Sequence, residues 1–217
     1  MRSIEVLVVC TGNAARSVMA GAMLAARAPT LRITTAGTHV VEGMPMSWRT
    51  RDALAELGVP PVPHRSRQLA PADLERADLV IGLAREHVAY VRRVHPRAAA
   101  KTATLKRLAR ELPSTSGPLA DRLARLRLAE VELEPWEDVA DPAGGDYPVF
   151  QACAREVDRL VDELLACLPA DAVPVTEPAK QVGERAQQTA SQAAGERGEA
   201  PIEAAQGLAE EAAEGVA

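Results

Sequence analysis

The chain begins with a short apolar run, residues 4–9 (Ile-Glu-Val-Leu-Val-Val), which passes without a linker into Cys10-Thr11-Gly12-Asn13-Ala14-Ala15-Arg16-Ser17. A run this short, this continuous and this rich in β-branched residues reads as a buried strand. Residues 17–26 then carry Val18, Met19, Ala22, Met23 and Leu24 on a helical period. A buried strand handing directly to a helix is a βα unit. A chain that repeats the unit is committed to a parallel sheet with helices on both faces.

The unit does repeat. Residues 31–35 predict a second strand, ending at the turn Ala36-Gly37-Thr38. Residues 47–57 predict a helix, with Ser47 as its N-cap and Gly58 and Pro60 as its stop. A short helix over 71–76 precedes a third strand over 78–82. A helix over 85–94 closes at His95-Pro96, and a short fourth strand over 101–105 leads into a helix over 106–112. Residues 113–118 are a loop by composition, and 119–131 read as a charged amphipathic helix. Residues 150, 153, 157, 160, 161, 164 and 165 form one apolar stripe of a long helix over 150–168, with Pro148 at its first turn. Parallel sheets of this kind bind ligands at the carboxyl ends of their strands, and Cys10 lies at one of those ends.

Charge divides the chain. Residues 170–217 hold nine acidic and three basic side chains, whereas the preceding residues are nearly balanced. The region after Pro169 has no aromatic residue and is rich in Ala, Glu and Gln. It cannot bury enough apolar area to offset ordering entropy of roughly 1–2 kcal/mol per residue. The expected organisation is one folded domain over 1–168 and a disordered acidic tail over 169–217. No apolar stretch approaches the roughly 18 residues of a membrane span, and the N-terminus does not read as a signal peptide. The three cysteines, Cys10, Cys153 and Cys167, form neither a disulfide framework nor a CxxC pair, which points to a reducing cytoplasm. Cys153 and Cys167, fourteen apart on one predicted helix, lie about 21 Å apart by helical rise and cannot bridge each other.

The residues after the first strand carry chemistry. A loop entering a helix N-terminus directs backbone N–H groups at one spot, and the helix dipole adds positive potential there. Gly12 is expected to let the chain bend, and Asn13 is a residue type that tolerates positive φ. Arg16 can place its planar fork over two oxygens of a tetrahedral anion. The same field favours a thiolate at Cys10, to which Ser17 can donate a hydroxyl hydrogen bond. Thiolate and anion cradle together are what displacement at phosphorus through a phosphocysteine requires.

With these residues in place, the chain resembles the low-molecular-weight protein-tyrosine-phosphatase family, which carries Cys-x5-Arg-Ser with Gly-Asn inside it directly after the first strand. Thr35-Ala36-Gly37-Thr38, Asp78-Leu79-Val80-Ile81 and Asp141-Pro142 before an aromatic-started helix fit the family order, so the resemblance covers about residues 3–168. It implies a three-layer αβα fold on a four-stranded parallel twisted sheet. It also implies Cys10 as nucleophile, Arg16 as phosphate ligand and Asp141 as general acid, which then activates the hydrolytic water. Thr11, Gly12, Asn13, Ala14, Ala15 and Ser17 complete the phosphate-binding loop. Asp138 and Asp146 share the acidic loop and compete with Asp141 for the role on sequence alone. Trp48 is either a wall of the substrate cleft or a core anchor at a helix start, and Tyr147 is a second cleft candidate.

The expected substrate is a phosphorylated protein, phosphotyrosine first. No cofactor, metal, nucleic acid or membrane partner is expected, and the tail's partner is unknown. His39, His64, His87 and His95 are scattered and read as structural or exposed. Two departures from the family pattern matter. Ala15 stands where the family often has a second cysteine, so peroxide should not form an intraloop disulfide. Ala143-Gly144-Gly145 stand where the family commonly has aromatics, which opens the cleft. The alternatives are an arsenate reductase of the same fold, a sugar-transport phosphocarrier, and a non-catalytic phospho-binding module. The first lacks resolving cysteines in residues 82–94, Arg16 argues against the second, and the retained thiol, arginine and acid argue against the third.

Overall fold

The computed structural model describes residues 3–60, 62–112 and 117–168; the tail expected over 169–217 and most of the loop over 113–118 lie outside them. Four parallel strands form one sheet in the order β2-β1-β3-β4: β1 (Glu5–Cys10), β2 (Arg32–Gly37), β3 (Leu79–Gly82) and β4 (Thr102–Thr104). In register, Cys10 lies beside Gly37 and Val9 beside Gly82, so three strand ends meet at one place.

Because side chains alternate along a strand, β1 feeds two separate cores. Val6, Val8 and Cys10 pack on one face with residues of α1 (Arg16–Arg27), α2 (Trp48–Glu56), α5 (Leu105–Glu111) and α7 (Tyr147–Cys167). Leu7 and Val9 pack on the other with Leu74 of α3 (Pro71–Arg76) and Val91 of α4 (Arg85–Val94). This is the expected three-layer αβα arrangement. The predicted stripe of α7 is buried from Phe150 to Leu165, and Ser47 caps α2 by accepting the Thr50 backbone N–H.

Beyond shifts of one to three residues at element ends, three features differ from expectation. Strand β2 continues through Ala36 and Gly37 because both remain paired with β1. A 3-10 turn, Pro96–Lys101, precedes β4. The helix expected over 119–131 is only α6 (Leu119–Arg125). Arg127 adopts φ 50°, which ends the helix, and the Arg92 guanidinium takes the carbonyls of Leu128 and Val131 instead. Amphipathic periodicity continues past that point but cannot report a guanidinium arriving from α4.

Candidate active site

The loop of residues 11–15 runs from the end of β1 into α1. Helix α1 has no acidic residue in its first turn and no side-chain cap at Ala15, so its N-terminal N–H groups are left for an anion. Cys10 is buried, with Sγ 3.0 Å from Ser17 Oγ. Asn13 is the loop's keystone: at φ 49° its Nδ2 donates to Ser17 Oγ and Thr35 Oγ1, both at 3.0 Å. Its Oδ1 accepts the Arg67 N–H at 3.1 Å, and its carbonyl accepts from His64 Nε2 at 2.7 Å and Ser66 Oγ at 2.8 Å. The Ala14 carbonyl accepts from Thr50 Oγ1.

The glycine that this bend requires is Gly37 rather than Gly12. A Cβ at Gly37 would lie 2.4 Å from the Thr11 carbonyl oxygen and 3.0 Å from the Asn13 nitrogen, whereas one at Gly12 meets nothing within 4 Å. Strand β2 therefore approaches the loop backbone closely, and the strained conformation falls on Asn13.

Arg16, almost wholly buried, donates from Nη2 to Asp141 Oδ2 at 2.6 Å and to Thr11 Oγ1 at 3.3 Å, and from Nη1 to the Val139 carbonyl at 3.4 Å. Among the three aspartates of the acidic loop, Asp141 is the one on Arg16. Asp138 is committed to Arg85, accepting its backbone N–H at 2.7 Å and its Nε at 3.0 Å, where the carboxylate meets the α4 N-terminus. Asp146 precedes α7 and makes no capping bond. Just upstream, Glu137 is fully buried and accepts from Arg107 Nη2 at 2.6 Å, Arg107 Nε at 3.0 Å and Thr104 Oγ1 at 2.7 Å. Burial raises the Glu137 carboxyl's proton affinity, and the Arg107 bonds outweigh it, leaving the pKa below the usual carboxylate value.

Trp48 is 51% exposed, so it is not a core anchor. Its ring stacks on Tyr147 at 5.6 Å between centroids, and the Tyr147 hydroxyl donates to Glu56 Oε1 at 2.8 Å. A cleft of about 640 Å³ opens beside Arg16, lined among others by Ala84, Glu86, Asp138, Val139 and Asp141. Trp48 and Tyr147 thus sit together, but neither lines this cleft, whose α4 side, with Glu86, was not legible from sequence.

Two thiols besides Cys10 lie on α7. Burial pushes the Cys153 thiol up to about 12, which makes it unreactive. The histidines divide: His64 braces the Asn13 carbonyl, and His87 lies buried beside Thr11. Both are structural, as expected from sequence, but their partners, 51 and 76 residues away, could not be named from it.

The family model for low molecular weight phosphotyrosine protein phosphatases matches residues 5–121. The protein-arginine-phosphatase of Geobacillus stearothermophilus is 31% identical over 161 residues, covering 74% of this chain and 93% of that protein. The low molecular weight protein-tyrosine-phosphatase Etp of Escherichia coli (strain K12) is 33% identical over 98 residues, 45% of this chain and 66% of that one. A low molecular weight protein tyrosine phosphatase structure from T. tengcongensis superposes with a TM-score of 0.62 at 30% identity, over 76% of this chain and 100% of that one.

Proposed function

Because the chain belongs to the low molecular weight phosphotyrosine protein phosphatase family, and is an enzyme of that class, we propose that it hydrolyses phosphotyrosine on proteins through a phosphocysteine on Cys10. One observation carries the reading. Arg16 and Asp141 are paired at 2.6 Å at the mouth of an uncapped helix N-terminus that begins six residues after a thiol held by Ser17.

The proposed cycle follows from those contacts. An incoming phosphoryl group takes the Arg16 donors and the α1 N–H groups, displacing Asp141 from the guanidinium, and the released carboxylate takes up a proton from solvent. The Cys10 thiolate attacks phosphorus; a P–S bond forms as the P–O bond breaks, and Asp141 protonates the departing phenolate. Asp141, now ionised, takes a proton from water, which attacks phosphorus and expels the thiolate. Ser17 stabilises the returning negative charge on sulfur. The Trp48–Tyr147 pair offers a flat face for the substrate ring. Catalysis is assigned to residues 1–168 and a cytoplasmic setting is proposed from the three free cysteines; among the described residues no helix is long and apolar enough to cross a membrane.

A second reading, phosphoarginine as substrate, is favoured by the α4 side of the cleft. There Glu86 and Asp141 offer carboxylates to a guanidinium leaving group, and the relative from G. stearothermophilus carries that activity in its name. Turnover of p-nitrophenyl phosphate at mildly acidic pH tests the chemistry. Cys10→Ser should abolish it and Asp141→Asn should reduce it by about 10²–10⁴-fold; activity that survives Cys10→Ser ends the reading. The ratio of kcat/KM on phosphotyrosine and phosphoarginine peptides decides between the two substrates.

A further inference from the structure

One buried titratable group near Arg16 has no part in the cycle above. His87, in the first turn of α4, is 1% exposed. Its Nδ1 accepts the Ala84 backbone N–H at 2.9 Å, which fixes the ring proton on Nε2. That nitrogen lies 3.0 Å from Thr11 Oγ1 and 3.2 Å from Glu86 Oε1. Thr11 in turn donates its hydroxyl proton to Glu86 Oε1 at 3.0 Å. Burial, and then the charge of Arg16, push the imidazole pKa down to about 3, so the ring is neutral at ordinary pH.

The Thr11 hydroxyl, itself held by the His87 Nε2–H, therefore holds the Glu86 carboxylate, with its oxygen 4.0 Å from Arg16 Nη2, outside hydrogen-bond range. The Glu86 side chain is 65% exposed and otherwise able to turn. When phosphate displaces Asp141, Glu86 is the next carboxylate within reach of the guanidinium. Attraction between the two charges grows as they approach, so an unrestrained Glu86 would compete with phosphate for the Arg16 donors.

We propose that His87 is a positioning residue for phosphate binding. Through Thr11, it holds Glu86 off Arg16 and leaves the guanidinium to the phosphoryl oxygens. The inference rests on the reading of Arg16 as the phosphate-binding cation, and it gives α4 a role in anion affinity that its sequence does not announce.

The test uses the full chain and inorganic phosphate, with affinity read by calorimetry and thus independently of turnover. His87→Asn keeps an acceptor for the Ala84 N–H and removes the Nε2 donor. It should weaken phosphate binding about five- to tenfold, and the double variant His87→Asn/Glu86→Gln should return to within about twofold of the parent. Glu86→Gln alone should bind phosphate no more weakly than the parent. A merely structural histidine would not be rescued by neutralising Glu86. An unchanged affinity in His87→Asn, or a loss that Glu86→Gln does not repair, overturns the inference. Should His87→Asn fail to fold, Thr11→Val removes the hydroxyl link between His87 and Glu86; it must show the same loss and the same rescue, and absence of either overturns the inference. A parent chain that binds no phosphate overturns the cradle reading as well, whereas binding that His87→Asn leaves intact overturns this inference alone.

Discussion

Residues 11–15 and residues 137–146 both reach the Arg16 guanidinium, but the first loop is tied along its length and the second only at its entry. In the first, Asn13 alone makes five hydrogen bonds, to Ser17, Thr35, His64, Ser66 and Arg67. In the second, Glu137 is clamped by Arg107, Asp138 by Arg85, and the Val139 N–H by the Leu83 carbonyl. Beyond Val139 the bonds from Pro142 to Gly145 are local: the Ala143 N–H to Asp141 Oδ1 and the Gly145 N–H to the Pro142 carbonyl. The contrast suits the proposed roles. An anion cradle must hold its donors fixed before the reaction, whereas an acid that is displaced from Arg16 and then protonates a leaving group needs room to move.

The largest expected effects come from cutting each loop's main tie. Glu137→Ala removes the buried carboxylate of the pair and leaves the Arg107 guanidinium hydrogen-bonded only to the partly exposed Glu111 at 2.9 Å and the Glu132 carbonyl, and should cost about 3 kcal/mol. Asn13→Ala removes several buried hydrogen bonds but leaves no charge, and should cost about 2–3 kcal/mol. Urea denaturation of both variants measures the order. If Asn13→Ala proved the more destabilising, the buried ion pair would not be the stronger anchor.

The two ties also differ in how acid reaches them. The Glu137 and Asp138 carboxyls are made costly to ionise by burial, and hydrogen bonds from Arg107 and Arg85 more than reverse this, so both pKa values are lowered. Their stabilisation is complete above the unfolded carboxylate pKa of about 4 and is lost as pH falls below it. His87 acts earlier. Its folded pKa of about 3 lies below the unfolded value of about 6.5, so between these limits the unfolded chain binds a proton that the folded one refuses. Stability from this group therefore falls with pH from about 6.5 downward, by up to about 1.4 kcal/mol per pH unit. Unfolding free energies between pH 4 and 6.5 should show a steeper fall for the parent than for His87→Asn. Parallel curves would mean that the ring charges freely in the folded state.

The same contrast explains what could be read from sequence. The cradle is contiguous: Cys10 to Ser17 declare strand end, turn and helix start in eight residues, and local chemistry suffices. Gly37 was visible as a turn signal, yet its purpose, letting β2 touch the loop backbone, depends on the Cys10–Gly37 register. From its residues alone the acid loop was legible as a set of competing aspartates, and only the Asp141-Pro142 resemblance singled out Asp141. What separates Asp138 from Asp141 is Arg85, 53 residues away from Asp138, and Arg16, 125 away from Asp141. No periodicity or spacing carries pairings of that range. Trp48 and Tyr147 could each be named from their places beside turns, but their stacking is a product of α2 meeting the start of α7.

That stack, proposed as the surface for the substrate ring, gives the smallest expected effect, and it tests whether such a surface acts through its rings or through polar contacts. The Tyr147 phenol is pushed up to about 12, by what burial it has and by the Glu56 carboxylate that accepts its proton. It stays protonated throughout the working range, and its hydroxyl bond is solvent-exposed, where such bonds contribute little. Tyr147→Phe keeps the ring on Trp48 and should leave kcat unchanged, with KM for an aryl phosphate altered by less than about twofold. Tyr147→Ala removes the ring and should raise KM about two- to tenfold, again without a change in kcat, because aromatic pairs contribute about 0.5–1.5 kcal/mol. A loss in Tyr147→Phe as large as in Tyr147→Ala would assign the contribution to the hydroxyl and Glu56. That surface would then be tied by hydrogen bonds, as the cradle is, and the difference between the two sides of the site would narrow to the residues between Pro142 and Asp146.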